Sequence, residues 1–383
     1  MPVSVGAVRP GSPRAGRELA ARGEGEIPAR RRMLVGASLS LSGPFQRQGE
    51  QARDGLQLWV DYVRAARDAP TPYLIVLDDR SRASVAREHV RRLLSEENVD
   101  VLIGPYSSGL VLAVAPVVGA AGKVLWNHGG TSDAIFQEGG RHLVSVASPA
   151  SDYLRDLPHW IRRRAPQANR ATIMYAASGT FAGQVARGAA EGARAAGFAE
   201  IRFATFESPI RDARALLLEA AAREPDLLLG VGAFADDLAI ARERPALPGA
   251  TVLALVGAGL AEFGGEMGDL AEGIMGPSQW EPTAGEAPLT GPDSTWFAGA
   301  FEGASQRTPE YPAAQAFAIG LIFEECRRRC AGNLDDGALL DAARVLRTTT
   351  FYGGFRLDPV TGRQVGHRIR LVQWRDGEKR VVD

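Results

Sequence analysis

Val99-Asp100-Val101-Leu102-Ile103-Gly104-Pro105-Tyr106-Ser107-Ser108-Gly109 is the stretch on which the reading of this chain turns. An apolar run of strand length stops at Gly-Pro, two hydroxyl residues follow, and the pattern over 110–120 is helical. Val124-Leu125-Trp126-Asn127-His128-Gly129-Gly130-Thr131-Ser132-Asp133 repeats the arrangement one unit later. A strand that feeds a helix through a tight turn is the repeating unit of a parallel α/β sheet. Working outward, Met33-Leu34-Val35-Gly36-Ala37-Ser38-Leu39 reads as the first strand and Ser42-Gly43-Pro44 as its turn. Leu56, Trp59, Val60 and Val63 then recur at the spacing of one helix face. Strand 73–77, helix 83–94, strand 99–103, helix 110–120 and strands 124–126 and 144–146 complete a first series. A second series runs through helix 152–164, strand 171–175, helix 183–196, strand 201–206, helix 212–222, strand 227–231, helix 236–243 and strand 252–256. Two series predict two doubly wound lobes. Residues 295–347 read as helical and 351–357 and 369–374 as strands, with turns at Gly362 and Gly377.

A length of 383 residues, 45% hydrophobic and 23% charged, fits a soluble globular chain of two domains. A net charge of −1 gives no global field for nucleic acid or an anionic membrane. No apolar run reaches the roughly 18 residues of a membrane span. The first 32 residues hold seven of the 44 basic and three of the 45 acidic side chains, which leaves the remainder near −5. Rich in Gly, Pro, Ala and Arg, they read as a disordered or non-native extension. The apolar residues after Arg30-Arg31-Arg32 read as the first strand rather than as a secretory signal. Cys326 and Cys330, four apart on a helical pattern without accompanying histidines, read as packed core residues.

Gly230-Val231-Gly232-Ala233-Phe234-Ala235 fits a dinucleotide fingerprint, but no acid follows about 20 residues on, where a ribose partner is needed. The five histidines are scattered; only His128 ends a strand, and it reads as a residue at the rim of a site or behind it. No catalytic, metal or cofactor pattern emerges. The hydroxyl turns 107–109 and 129–133 can cap their helices. They can also serve together as a carboxylate site, since helix N-termini present hydroxyls and free N–H groups to an anion.

With these turns, Leu41-Ser42-Gly43-Pro44-Phe45 with Gly49 and Glu50, Asp78-Asp79, Ala113-Val114-Ala115-Pro116, Tyr311-Pro312-Ala313-Ala314-Gln315-Ala316 and Phe351-Tyr352-Gly353-Gly354-Phe355-Arg356-Leu357-Asp358, the chain resembles the leucine/isoleucine/valine-binding family of ABC-transporter receptors. The resemblance implies type I periplasmic-binding-protein architecture: two doubly wound lobes joined by three crossings, near Ser148, Pro277 and Thr350. Lobe 1 would comprise 33–148 plus 278–349, and lobe 2 would comprise 149–277 plus 350–383. It implies the solute-binding protein of an ABC importer, with an amino acid (branched-chain or other hydrophobic) or a related small carboxylate buried in the interlobe cleft by hinge closure, ABC permease subunits as partners, no nucleic acid, no cofactor, no catalysis and a periplasmic or extracellular setting. The alternatives are a cytoplasmic sensor of the same fold and, less favoured, a nucleotide-dependent enzyme. Carried over residue by residue, Ser107, Ser108, Gly129, Gly130 and Thr131 would hold the ligand's carboxylate and part of its ammonium. Phe45, Gln48, Phe181, Phe234, Ala258 and Trp280 would supply the rest of the site. Phe181 and Phe234 stand where amino-acid binders carry tyrosine or another aromatic, and Ala258 stands near where they carry the acid that pairs with an ammonium. Asp133, Asp236 and Asp237 are the candidate substitutes. Without one, the expected ligand shifts from a branched-chain amino acid toward an acid or amide lacking an amine.

Overall fold

The computed structural model describes residues 32–66, 70–138 and 140–382. The 1–31 part of the expected extension lies outside them. Strand β1 (Met33–Leu39), helix α1 (Gln46–Ala66), β2 (Pro72–Asp78), α2 (Ala83–Ser95), β3 (Val101–Ile103), α3 (Ser108–Ala120), β4 (Leu125–Asn127), α4 (Ala134–Glu138) and β5 (Leu143–Ser145) form the first series. Their sheet has the order β2-β1-β3-β4-β5, parallel throughout. The second series is α5 (Leu157–Arg164), β6 (Arg170–Ala176), α6 (Phe181–Ala195), β7 (Glu200–Phe206), α7 (Ala213–Ala221), β8 (Leu227–Val231), α8 (Phe234–Arg242), β9 (Val252–Leu255), α9 (Ala261–Met267) and β10 (Met275–Ser278).

After β10 the chain runs through α10 (Ser294–Ser305), α11 (Tyr311–Arg329), α12 (Asp336–Val345), the hairpin β11 (Arg347–Thr350) and β12 (Gly353–Arg356), then β13 (Arg370–Arg375) and β14 (Glu378–Val381). The second sheet has the order β14-β13-β10-β9-β8-β6-β7, with β13 and β14 antiparallel at one edge. Both sheets are α/β and doubly wound, as the alternation predicts.

Two large cores hold the halves. The first packs Met33, Val35 and Leu39 of β1 and Trp59 of α1 against Phe317 and Phe323 of α11. The second packs Ile173, Leu229 and Leu253 against helices α5 and α6. Phe351, Phe355 and Leu357 belong to the first core, so the last passage to the second sheet lies beyond Leu357, later than the Thr350 expected. The helix expected over 152–164 begins only at Leu157, because a separate turn at Ala150–Asp152 precedes it and Pro158 sits in its first turn. Residues 274–281 read as irregular in the sequence, yet Met275–Ser278 form β10 by pairing with β9 and β13; strands β11 and β14 are likewise additions of the structure. Both are short and polar, and their pairing, not their own apolar pattern, makes them strands.

Close helix contacts depend on glycine. A Cβ at Gly188 of α6 would collide with the Ser151 carbonyl, whereas one at Gly183 would meet only the Tyr175 ring at 3.9 Å. Alanine in a helix is favoured over glycine by about 0.5–1 kcal/mol, so packing decides the sign. Gly183→Ala should stabilise the protein by about that amount in urea unfolding. Gly188→Ala should destabilise it by about 1–3 kcal/mol, since a backbone carbonyl cannot swing aside.

Candidate functional site

Ligands of open α/β sheets bind beyond the carboxyl ends of the strands, where strand order reverses. In the first sheet that point lies between β1 and β3, and in the second between β6 and β8. The segments leaving these strands carry Phe45, Ser107 and Ser108 on one side and Phe181 and Phe234 on the other.

Loop 40–45 is shaped by the acid pair. Asp79 is buried and accepts from the hydroxyls of Ser38 (3.2 Å) and Ser40 (2.6 Å); Asp78 accepts from the Leu41 amide and the Ser42 hydroxyl. Phe45 then meets Tyr106 edge-on at 6.0 Å. Ser107 caps α3 through Leu110 N at 3.4 Å, with a φ of 88° that a non-glycine residue rarely adopts. Such strain costs about 1–3 kcal/mol and gathers at binding sites. Tyr106 and Gly129 bridge the two turns, and a Cβ at Gly129 would lie 2.9 Å from the Tyr106 Cα. Only glycine permits that approach. Gly130 donates to Asn127 Oδ1 at 2.8 Å, which folds the second turn back on its own strand.

Ser108 and Thr131 meet as the sequence suggests. Ser108 Oγ accepts from the amides of Thr131 (3.1 Å) and Ser132 (2.8 Å). Helix capping and anion-type coordination thus coexist: α3 begins at Ser108, and the second turn aims successive N–H groups at one oxygen. From the other half, Tyr153 OH donates to Thr131 Oγ1 at 3.5 Å, and Phe181 packs edge-on against Tyr153 at 5.2 Å.

Tyr153 is one of four tyrosines that gather here and that the sequence reading did not assign to the site. Tyr106 and Tyr311 share a hydroxyl contact of 3.3 Å; Tyr352 donates to Gln279 Oε1 (2.8 Å) and accepts from Gln315 Nε2 (3.1 Å). Burial raises the pKa of all four, so each stays a neutral phenol. Tyr311, Gln315 and Tyr352 do lie within motifs that carried the resemblance, which was the available signal. Tyr153 and Gln279 had none.

Trp280 falls elsewhere. It packs against Phe297 (5.4 Å) and Phe351 (5.9 Å) in the first core, as an aromatic on an apolar chain segment commonly does. Gln48, in the first turn of α1, has a buried Oε1 with no hydrogen-bond partner. Phe234 lies beside Gly257, and Ala258 is fully buried with its carbonyl accepting from Trp374 Nε1 at 2.9 Å. His128 is buried beside the Tyr106 ring, and burial lowers its pKa to about 4, so it is neutral.

Of the three candidate ammonium partners, Asp133 and Asp236 are engaged and Asp237 is engaged through one oxygen. Asp133 accepts from the Ser151 amide and hydroxyl and pairs with Arg363 at 3.2 Å. Asp236 accepts from Ser208 Oγ, Ile210 N and Ala233 N. Asp237 is buried and accepts from Gly257 N at 2.6 Å through Oδ2, while its Oδ1 has no hydrogen-bond partner.

These groups sit at the switch points of two doubly wound lobes. The chain belongs to the periplasmic binding protein family, whose sequence profile matches residues 34–379. Leu/Ile/Val-binding protein homolog 8 of Brucella abortus is 25% identical over 232 residues, 58% of this chain and 57% of that protein. Homolog 7 of the same organism is 26% identical over 154 residues, 40% of this chain and 39% of that one. The matches thus span about two fifths to under three fifths of these relatives. The leucine-binding protein LivK of Thermotoga maritima shares the fold with a TM-score of 0.78 at 17% identity, covering 92% of this chain and 98% of that one. An isoleucine complex of LivJ from Streptococcus pneumoniae gives 0.78 at 19%, covering 92% and 99%. A benzoate complex of an R. palustris solute-binding protein gives 0.76 at 18%, covering 91% and 95%.

Asp237 yields a signed pH dependence. Burial, with a smaller push from Asp236, raises its pKa to about 7 against the opposing Gly257 hydrogen bond. A free aspartate titrates near pH 3.9, so between roughly pH 4 and 7 the folded state binds the extra proton. Its contribution to stability is full below that window and is lost as pH rises through 7. Asp237→Asn should remove a slope on the order of 1 kcal/mol per pH unit in urea titrations between pH 5 and 7.

Proposed function

We propose that the protein is the solute-binding component of an ABC importer and holds a small carboxylate between its lobes, without catalysis. The observation that carries this reading is the Ser108–Thr131 pairing, in which amides at the start of one unit and a hydroxyl from its neighbour converge. A carboxylate oxygen accepts such N–H groups better than a neutral hydroxyl does, because charge-assisted hydrogen bonds are about twice as strong. Ser107, Gly129, Gly130 and Gln48 complete the polar side. Phe45, Phe181 and Phe234 supply apolar walls, and the tyrosine hydroxyls supply neutral donors.

The ligand class follows from what faces this turn. The groups gathered on it are phenols, amides and hydroxyls; Asp133 and Asp236 are engaged, and burial raises the pKa of Asp237, which keeps one unpartnered oxygen, to about 7, so that it is a weak partner for an ammonium. A buried ammonium left without a carboxylate costs several kcal/mol, so an apolar or aromatic acid is favoured over a zwitterionic amino acid. Structural relatives were solved with isoleucine in one case and benzoate in another, and the neutral groups here favour the second chemistry. Membership of the family supports a place outside the cytoplasmic membrane, beside permease subunits that read lobe closure.

A thermal-shift panel of amino acids, aliphatic acids, aromatic acids and amides tests this. An aromatic acid at 100 times its Kd should stabilise the protein by about 2.7 kcal/mol, and leucine should give a smaller shift or none. Ser108→Ala combined with Thr131→Ala should abolish the shift while leaving a cooperative unfolding transition. An undiminished shift in the double variant, or a panel response confined to amino acids, would overturn the assignment.

A further inference from the structure

The far end of the ligand turn is gripped from the opposite lobe. Gln184, in the opening turns of α6, is 7% exposed. Its Oε1 accepts from the Ser132 hydroxyl at 2.8 Å and from the Asp133 amide at 2.6 Å. The Ser132 hydroxyl also lies 2.9 Å from Thr180 Oγ1, at the N-cap of the same helix. On the hinge side, Asp133 accepts from Ser151 N and Oγ, while Arg363 spans Asp133 and Asp152, each at 3.2 Å.

Three successive amides are therefore divided between lobes. Those of Thr131 and Ser132 go to Ser108 of the first lobe, and that of Asp133 goes to Gln184 of the second. When the lobes part, the Asp133 N–H and the Ser132 hydroxyl exchange the fixed Gln184 acceptor for water, so the closed arrangement gains the net stabilisation of two protein hydrogen bonds. The segment that would hold a carboxylate is thus the segment on which the second lobe docks.

We propose that Gln184 is a positioning residue for ligand binding, docking the second lobe onto the Thr131–Asp133 turn and holding the cleft shut over the bound acid. The proposal rests on the cleft-binding reading above. Both contacts use Gln184 only as an acceptor, which sets the test: Gln184→Glu keeps the acceptor, and Gln184→Leu keeps the size and removes it.

Amide hydrogen exchange at Ser132 and Asp133, with the radius of gyration from small-angle scattering, is measured on the full chain without added ligand. In Gln184→Leu, Asp133 should exchange at least tenfold faster than in the unsubstituted protein and the radius of gyration should rise. Gln184→Glu should match the unsubstituted protein in both. Equal exchange in Gln184→Leu and the unsubstituted protein overturns the proposal, and so does a Gln184→Glu variant as open as Gln184→Leu. Should Gln184→Leu not fold, Ser132→Ala carries the same expectation with a severalfold smaller effect on Asp133, and no effect there overturns it. Because no ligand enters this assay, a silent thermal-shift panel would remove the proposed ligand class and leave the docking contact standing or falling on its own data.

Discussion

One buried polar knot holds together the passages between the two sheets. The Gln279 side chain receives the Ser148 amide (3.2 Å) and donates to the Ser148 carbonyl (3.0 Å), pairing the first and second passages between the sheets as a neighbouring strand would. Tyr352 donates to the same Gln279 oxygen, and its ring stacks on His367 at 4.4 Å. His367 Nδ1 in turn lies 2.7 Å from the Ser148 hydroxyl. The chain thus ties all three passages together at one place. Burial lowers the pKa of His367 to about 4, so the knot is neutral at ordinary pH. Neutral groups suit a pivot: they need no counterion and no rearranged solvent when the lobes rotate. Each remains costly to leave unpaired, which keeps the connections in register.

From the knot the polar contacts run on toward the turn proposed to hold the ligand, where Tyr153, five residues beyond Ser148, donates to Thr131 Oγ1 at 3.5 Å.

Much of this was legible in the sequence. The alternation of apolar runs with amphipathic segments specifies both parallel sheets, because strands buried on two faces must be apolar throughout and their connecting helices must be striped. Ser108 and Thr131 stood out for a local reason, hydroxyls at successive helix starts, and the fold brings them together. Gln184, Tyr153, Gln279 and Arg363 did not stand out. Their partners lie 22 to 212 residues away, and a glutamine within an amphipathic helix has no local signature of an interlobe role. Trp280 misled for the opposite reason: an aromatic near a crossing can face cleft or core, and only the positions of Phe297 and Phe351 decide.

The chemistry left facing the turn has a consequence for selectivity. A zwitterion brings an ammonium that must give up its water, and phenols and amides repay that desolvation less well than a carboxylate does. An acid without an amine loses nothing by the same exchange. In the proposed site it would take over the N–H groups that Ser108 Oγ now accepts, and the apolar faces of Phe45, Phe181 and Phe234 would receive its hydrocarbon part. A site that rejects by leaving a charge unpaired discriminates more sharply than one that rejects by size, since a missing methylene is worth only about 1–3 kcal/mol. Under the proposed function, the alanine at 258 would be a selectivity element by what it withholds, while the paired turns 107–109 and 129–133 would keep the grip on the carboxylate.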